Sequence, residues 1–316
     1  MTYPTPESIR VIDGHYYYPG RAGAYLIHAG EEAAFVDNNT RFSIPYLLQA
    51  LEEEGLKPDQ VRYVIVTHVH LDHSGGTAEL MKHCPNATVL CHPKAAPHII
   101  DPTKLIAGAR AVYGDTFDGL YGEIEAISAD RVRAMEDDES AELGSRTLTF
   151  YDTPGHARHH VTIHDSQTNT LFTGDAFGLM YPQLQHGTKP YMNYVCAPPT
   201  FEPAKAKASI ERILAMQPDH IGLTHYGFCT AHEQGAEQLL RNIDQCEHIA
   251  KQAAERQLEG DALMQYCDEA VLAVIEDELR RCGLDPAAAE VHQWAVNENS
   301  VTSQGCAILA SRLQKA

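Results

Sequence analysis

Short apolar runs, separated by glycines and polar turns, recur through the first 230 residues of the chain. The run over residues 61–66 (VRYVIV) is almost continuously apolar, which is typical of a buried strand. Residues 24–28 and 33–37 flank Gly30 and Glu31, and this pattern predicts a hairpin. Further strands are predicted over residues 88–91, 131–135, 147–151, 160–164, 170–173 and 220–223.

Helical periodicity alternates with these strands. Residues 43–54 place their apolar side chains on one stripe and end at a glycine, which predicts a helix. Helices are also predicted over residues 77–83 and 203–216. The segment 93–130 fits a regular pattern less well, although residues 103–113 have helical character. We interpret this segment as an insertion that covers a surface, a candidate lid.

The composition shifts after about residue 230, where alanine, glutamate, glutamine and leucine follow a helical period. Gly283 and Pro286 predict a break in this region, and residues 287–313 are predicted to form two more helices. The alternation of strands and helices before residue 230 predicts an α/β fold. We therefore divide the chain into an α/β domain over residues 1–230 and a helical C-terminal extension over residues 231–316. We expect this extension to form one side of the functional site.

Composition and charge exclude several classes of protein. Of the 316 residues, 44% are hydrophobic, which is enough for a folded core. The chain has 24 Lys and Arg residues and 43 Asp and Glu residues, so its net charge is −19. This negative charge opposes binding to nucleic acid or to an anionic membrane. No apolar run is long enough to cross a membrane, and the N-terminal residues do not resemble a secretory signal. The eight cysteines form no C-x-x-C pair, so we expect reduced thiols in a cytoplasmic protein.

The densest group of chemically active residues directly follows the predicted strand 61–66. Residues 67–76 have the sequence THVHLDHSGG. His68 and His70 are two positions apart, so the alternation of side chains at the end of a strand points both in one direction. Asp72 and His73 follow the turn and can face a second point. The two glycines allow the backbone to pass close beneath the site before the next helix begins.

Three later strands are predicted to end in the same way. A single histidine or aspartate follows each of the strands 147–151, 170–173 and 220–223, and these residues are His156, Asp175 and His225. Imidazole and carboxylate groups are the ligands that Zn²⁺, Fe²⁺ and Mn²⁺ bind in proteins. The sequence therefore predicts a metal centre at the carboxyl ends of these strands.

The order of these residues resembles a known family. The motif H-x-H-x-D-H, the later His, Asp and His, and the segments TPGHARHH and LFTGDAFG are similar to the metallo-β-lactamase superfamily, and most of all to its glyoxalase II-like branch, over about residues 11–230. The resemblance implies an αββα sandwich with metals at one edge between two sheets. It also implies the ligands: His68, His70 and His156 for the first metal, Asp72, His73 and His225 for the second, and Asp175 as a bridge between both.

The resemblance further implies that residues 1–230 form a catalytic domain. Two divalent ions, zinc first and iron or manganese as alternatives, would hold a hydroxide that attacks a small ester, thioester or lactone. Asp72 would then be a catalytic residue as well as a ligand, and we hypothesise that Tyr226 offers its hydroxyl group to a developing oxyanion. The expected partner is a small-molecule substrate, and a homodimer stays an open option.

A second function stays open at this point. Persulfide dioxygenases share the fold and the motif but use one iron, held by the residues that match His68, His156 and Asp175. Flavodiiron reductases are disfavoured, because they resemble H-x-E-x-D where this chain has His70. His159 is a candidate to orient a ligand or to contact substrate, as is its neighbour His160, and simple bonding to the backbone is the alternative for each.

Overall fold

Two six-stranded sheets pack face to face in the computed structural model, which describes residues 5–229 and 232–315. Helices cover the outer face of each sheet. The predicted αββα sandwich with helices at its C-terminal end is therefore confirmed. The predicted domain boundary, between residues 230 and 231, lies outside the described residues. None of the helices in the described part of the chain is long and apolar enough to cross a membrane.

The first sheet is built from the N-terminal half of the chain. Its strands, in spatial order, are β1 (Ile9–Asp13), β2 (Gly23–Ala29), β3 (Glu32–Val36), β4 (Val61–Val66), β5 (Thr88–Cys91) and β6 (Val132–Ala134). The pairs β1–β2 and β2–β3 are antiparallel, whereas the strands from β3 to β6 are parallel. Parallel neighbours place their carboxyl ends at one edge of the sheet.

The second sheet completes the sandwich. Its strands are β7 (Ser140–Leu143), β8 (Arg146–Asp152), β9 (Val161–Asp165), β10 (Thr170–Gly174), β11 (His220–Leu223) and β12 (Gly227–Cys229), and they lie in the reverse of this order. Strands β10 and β11 are parallel, and the other neighbouring pairs are antiparallel. The helices are α1 (Ile44–Glu53), α2 (Leu71–Ser74), α3 (Thr77–His83), α4 (Ala96–Ile100), α5 (Thr103–Tyr113), α6 (Phe117–Tyr121), α7 (Pro203–Ala215), α8 (His232–Glu255), α9 (Gly260–Arg281) and α10 (Ala289–Leu313).

Alternation along the strands sorts the core into layers. In β4, Ile65 packs between the two sheets, whereas its neighbour Val66 packs against the helices of the first face. In β10, Phe172 packs between the sheets, whereas Leu171 packs against the helices of the second face, which include α7 to α10. Two of the strands that lead to the predicted site, β4 and β10, are therefore packed on both faces.

Most predicted elements are confirmed within one or two residues, including the hairpin of β2 and β3 and the buried strand β4. Three strands escaped prediction, namely β1, β7 and β12. Each of them lies at the edge of its sheet and is five residues long or shorter. Edge strands are often short and partly polar, so they lack the apolar run that identifies a buried strand.

The C-terminal extension differs from prediction in one respect. Residues 287–313 were expected to form two helices, and the structure has the single helix α10 there. Its interior Gly305 does not end the helix but lies against the loop at Cys196, where an added Cβ would be 1.8 Å from the carbonyl oxygen. The predicted break at Gly283 is confirmed, because this residue has φ +79° between α9 and α10.

The segment 93–130 contains the helices α4, α5 and α6. Apolar side chains of α5 and α6 pack together with Tyr16 and with Leu71, the first residue of α2. The hydroxyl groups of Tyr121 and Tyr16 are hydrogen-bonded at 2.8 Å. The insertion therefore lies beside the helical turn that carries two of the predicted metal ligands, and its role as a lid stays a prediction.

Candidate metal centre

The predicted ligands come together at one edge of the sandwich. His68 and His70 lie in the loop after β4, and Asp72 and His73 lie in the helical turn α2 that follows. The second sheet supplies the other three from the loops after β8, β10 and β11, and these are His156, Asp175 and His225. The structure thus brings all seven residues together, four from the first sheet and three from the second.

Two glycines allow the tight path of the chain after α2. A Cβ on Gly75 would lie 2.4 Å from the carbonyl oxygen of Leu71, and one on Gly76 would lie 2.7 Å from that of Thr40. Both contacts are closer than real Cβ atoms allow. These glycines are therefore required by close backbone approach rather than by an unusual φ angle.

The first cluster consists of three imidazole rings. Nδ1 of His70 lies 2.9 Å from Nε2 of His68 and 3.1 Å from Nε2 of His156. His68 and His156 are almost completely buried. The Nδ1 group of His156 donates a hydrogen bond to the carbonyl oxygen of Val195 at 3.1 Å, which leaves the lone pair of Nε2 for the cluster.

The second cluster combines two imidazoles and a carboxylate. Oδ2 of Asp72 lies 3.4 Å from Nε2 of His225. Oδ1 of the same carboxylate lies 4.0 Å from Nε2 of His73. The ligand atoms of these three residues all lie within 4.8 Å of one another.

Asp175 lies between the two clusters. Its Oδ2 atom is 3.3 Å from Nε2 of His156 in the first cluster. Its Oδ1 atom is 3.4 Å from Nε2 of His73 and 3.8 Å from Nε2 of His225 in the second. One carboxylate therefore faces both groups of nitrogen atoms.

Burial and neighbouring charges favour opposite protonation states in the two clusters. Burial lowers the pKa of His68 and of His70, and their neighbouring imidazoles lower it further, so both rings stay neutral. Burial would also lower the pKa of His73, but the nearby carboxylates, first that of Asp175, raise it well above its usual value. In the same way burial would raise the pKa of Asp175, but the charge of His73 outweighs burial and lowers it.

Asp37 is a site residue that the sequence analysis missed. It is completely buried at the end of β3 and accepts a hydrogen bond from Nδ1 of His73 at 2.8 Å. It also accepts hydrogen bonds from the backbone N–H of Thr67 at 2.9 Å and from the hydroxyl group of Thr224 at 2.7 Å. These contacts join the loops of both sheets and aim Nε2 of His73 at the cluster. The only signal in the sequence is an aspartate directly after a buried strand.

The side chain of His160 holds the backbone of Asp175. Nε2 of His160 accepts a hydrogen bond from the N–H group of Asp175 at 3.2 Å, and Nδ1 donates to the hydroxyl group of Thr153 at 3.0 Å. Burial lowers the pKa of His160 well below its usual value, which agrees with a neutral ring in this tautomer. His159 instead lies near the first cluster, where its Nδ1 accepts a bond from the N–H group of Val69 at 3.4 Å.

Tyr226 is placed differently from the other candidates. Its ring lies beside Gly23, and the charge that affects the pKa of its hydroxyl group is that of Asp13. Burial raises this pKa to about 12. The structure does not bring Tyr226 into the group formed by the other candidates, so its role at an oxyanion stays a prediction without geometric support.

The donor set fits divalent metal ions. Nε2 of His73 and Oδ1 of Asp175 are buried 3.4 Å from each other, and neither atom has a well-aligned hydrogen bond among the described residues. Unpartnered buried lone pairs are costly unless another group satisfies them. Neutral imidazoles and carboxylates that converge in this way are the ligands of Zn²⁺, Fe²⁺ and Mn²⁺.

An αββα sandwich with paired His and Asp clusters at one edge of its sheets defines a class of metal-binding α/β proteins. The chain belongs to the metallo-beta-lactamase superfamily, whose family model matches residues 18–225. All seven predicted ligands lie within this match.

The chain is similar in sequence to several known proteins, among them the following three. A metallo-beta-lactamase fold-containing protein of Sulfurisphaera tokodaii is 30% identical over 173 residues, which are 54% of this chain and 62% of that protein. Coenzyme F420H(2) oxidase of Methanothermobacter thermautotrophicus is 28% identical over 181 residues, 55% of this chain and 39% of that protein. Acyl-coenzyme A thioesterase MBLAC2 of Homo sapiens is 26% identical over 180 residues, 54% of this chain and 63% of that protein. The match thus spans less than two thirds of each relative.

Two solved structures have the same fold. An archaeal metallo-beta-lactamase superfamily protein from Sulfolobus tokodaii has a TM-score of 0.64 at 23% identity, and the match covers 88% of this chain and 100% of that one. A metallo-beta-lactamase family protein from Thermus thermophilus has a TM-score of 0.65 at 17% identity, covering 98% of this chain and 94% of that one. At these identities the likeness shows the fold alone.

Proposed function

We propose that the chain is a dinuclear metal-dependent hydrolase that acts on a small thioester. The position of Asp175 carries this proposal, because its two carboxylate oxygens lie 3.3 Å and 3.4 Å from imidazole nitrogens of two separate clusters. A carboxylate in this position can bridge two metal ions. A single metal would leave the second cluster without an occupant.

The ligands are assigned by cluster. The first metal ion would bind His68, His70 and His156, the second would bind Asp72, His73 and His225, and Asp175 would bind both. Zinc is the first choice, with iron or manganese as alternatives, because the same donors accept all three. When bound, such ions polarise a carbonyl oxygen and lower the pKa of water toward neutrality.

The protein's own residues hold these donors in a fixed orientation. The Nδ1 groups of His156, His73 and His225 each donate to a fixed oxygen acceptor within hydrogen-bonding distance. Each ring therefore presents Nε2 to the site in one tautomer. Asp72, at the edge of the second cluster, stays ionised because His73 and His225 outweigh burial and lower its pKa.

The substrate class rests on the relatives. The human relative is named an acyl-coenzyme A thioesterase, and a relative from Aspergillus chevalieri is named an atrochrysone carboxyl ACP thioesterase. A thioester offers an activated carbonyl group to the same metal chemistry. We also propose that the chain belongs to the glyoxalase II-like branch of the superfamily. Esters and lactones are the alternative substrate classes.

The test is a substrate panel with a matched variant. Metal-loaded protein is assayed with acyl-coenzyme A, S-acyl glutathione, lactone and phosphodiester substrates. We expect hydrolysis of at least one thioester, and a loss of about hundredfold or more in Asp175→Asn. Protein that holds two metals per chain but hydrolyses no member of the panel would rule out the hydrolase.

An oxidoreductase is the second candidate, because three of the relatives are named coenzyme F420H(2) oxidase. A mononuclear iron persulfide dioxygenase would need only the residues that match His68, His156 and Asp175. One iron per chain, with sulfite formed from glutathione persulfide, would favour this alternative over the hydrolase.

We further propose a cytoplasmic location and a small-molecule substrate. All eight cysteines are buried, and none forms a disulfide within residues 5–229 and 232–315, which agrees with a reducing compartment. The division into a catalytic domain over residues 1–230 and a helical extension over 231–316 is part of the same proposal, and so is the option of a homodimer.

A further inference from the structure

A buried ion pair joins the C-terminal helix to the loop between β1 and β2. Nη2 of Arg21 donates to Oε1 of Glu298 at 3.4 Å, across 277 positions of sequence. The side chains are only 14% and 6% exposed. Nη1 of Arg21 also donates to the hydroxyl group of Tyr18 at 2.9 Å. Neither member of the pair is a predicted metal ligand.

The backbone of Arg21 holds a ligand of the second cluster. Its carbonyl oxygen accepts a hydrogen bond from Nδ1 of His225 at 2.7 Å. This bond fixes the tautomer of the ring and turns Nε2 toward Asp72 and Asp175. One residue therefore orients His225 with its carbonyl group while its side chain is held by Glu298.

Tyr181 provides a second connection between Glu298 and His225. Its hydroxyl group donates to Oε1 of Glu298 at 2.9 Å. Its ring lies 6.2 Å from the ring of His225, and Trp294 of α10 packs 4.4 Å from it on another side. A single carboxylate oxygen thus binds Arg21, whose carbonyl group holds His225, and Tyr181, whose ring lies beside it.

We propose that Glu298 is a positioning residue for the second metal site. It fixes the Arg21 carbonyl group and the Tyr181 ring, and through them the direction of His225. This inference rests on the proposed dinuclear centre. If Glu298 loses its charge, the Arg21 guanidinium group stays buried without an anionic partner, which favours a shift of the loop that carries the carbonyl acceptor. A pair that only docks α10 would affect stability and leave metal affinity unchanged.

The test compares two buried carboxylates of the C-terminal helices. Glu298→Gln keeps the shape of the side chain and removes its charge. Glu278→Gln is the matched control, because Glu278 on α9 is buried and pairs with Arg241 at 2.7 Å and 3.0 Å, away from the metal centre. Affinity for each metal is measured by competition with a chromophoric chelator, and unfolding by circular dichroism.

We expect Glu298→Gln to weaken the second metal by about tenfold and to leave the first unchanged. Glu278→Gln should lower the melting temperature and leave both affinities unchanged. Tyr181→Phe removes one hydrogen bond to Glu298 and leaves no buried charge unpaired. It should lower the affinity for the second metal by a smaller factor than Glu298→Gln. This variant provides the test if Glu298→Gln does not fold.

Three outcomes would contradict the inference. Unchanged affinity in Glu298→Gln and Tyr181→Phe, with two metals in the wild type, would overturn the inference alone. Equal loss of the second metal in Glu278→Gln would also overturn it, since the effect would then be general to the C-terminal helices. A wild type that binds one metal per chain would overturn the proposed dinuclear function, and this inference with it.

Discussion

Asp37 illustrates how one buried side chain organises both halves of the site. It accepts hydrogen bonds from His73, from the backbone of Thr67 and from Thr224, which lies 187 positions away in the sequence. A carboxylate has enough lone pairs to satisfy all of these donors at once. Asp37 therefore links the loop after β4 to the loop after β11.

Asp37→Asn keeps the volume of the side chain but removes its charge and one acceptor oxygen. The new amide nitrogen can only donate. It therefore removes the acceptor either of His73 and Thr224, which share Oδ2, or of the Thr67 N–H, which bonds to Oδ1. We expect the affinity for the second metal to fall by about 10- to 100-fold and the melting temperature to fall as well. Chelator competition and thermal unfolding measure these two effects.

The control for this substitution is Asp165→Asn. Asp165 is equally buried but pairs with Arg146 at 2.6 Å, at the other end of β9. We expect it to cost stability and to spare both metals. Loss of the second metal in both variants would show that buried charge in general, and not the bond to His73, explains the effect.

The protonation of the clusters predicts an order of metal loss with pH. Nearby carboxylates, first that of Asp175, outweigh burial and raise the pKa of His73 and of His225, whereas burial lowers the pKa of His68 and His70. Protons therefore compete for the second cluster at a higher pH than for the first. As pH falls, we expect the affinity for the second metal to decrease by about tenfold per pH unit for each proton that competes with it. The second metal should therefore be lost before the first. Metal content after dialysis at stepped pH checks this order, and prior loss of the first metal would contradict it.

Helix α10 shows at the scale of elements what local patterns leave out. The sequence predicted two helices over residues 287–313, whereas the structure has one, in which Gly305 packs against the opposing loop at Cys196. That the seven candidate ligands would lie together could be predicted, because each lies in the loop or turn that follows a predicted strand. Asp37, Arg21 and Glu298 could not be predicted, since their roles depend on contacts between distant parts of the chain that have no local period.

Two helical glycines give a matched prediction at this scale. Gly108 on α5 is exposed, and an added Cβ meets nothing within 4 Å, so Gly108→Ala should raise the free energy of unfolding by about 0.5–1 kcal/mol. Gly305→Ala gains the same helix propensity, but its Cβ would lie 1.8 Å from the carbonyl oxygen of Cys196 and should lower stability. Chemical denaturation measures both, and changes of the same sign would contradict the close packing of α10.

At the scale of the whole molecule, the candidate metal centre lies where the two sheets meet. The loop and turn after β4 supply four of the predicted ligands, and loops of the second sheet supply three. Because bound metals would stabilise the folded chain and not the unfolded one, their removal should lower the melting temperature by roughly 5 °C or more. Scanning calorimetry before and after chelation measures this, and an unchanged temperature would contradict metal binding between the sheets.

The net surface charge of the protein does not determine the charge at the metal centre. A net charge of −19 opposes nucleic acid and anionic membranes. The metal ions would supply the positive charge of the centre locally, so an anionic thioester substrate is compatible with an acidic protein.

Metal content per chain, measured by mass spectrometry on protein expressed in minimal medium, tests the dinuclear hydrolase most directly. We predict two divalent ions per chain in the wild type, one in His225→Ala, and thioester hydrolysis only in the protein that holds both. A single iron per chain that persists unchanged in His225→Ala, together with oxidation of a persulfide, would contradict this account.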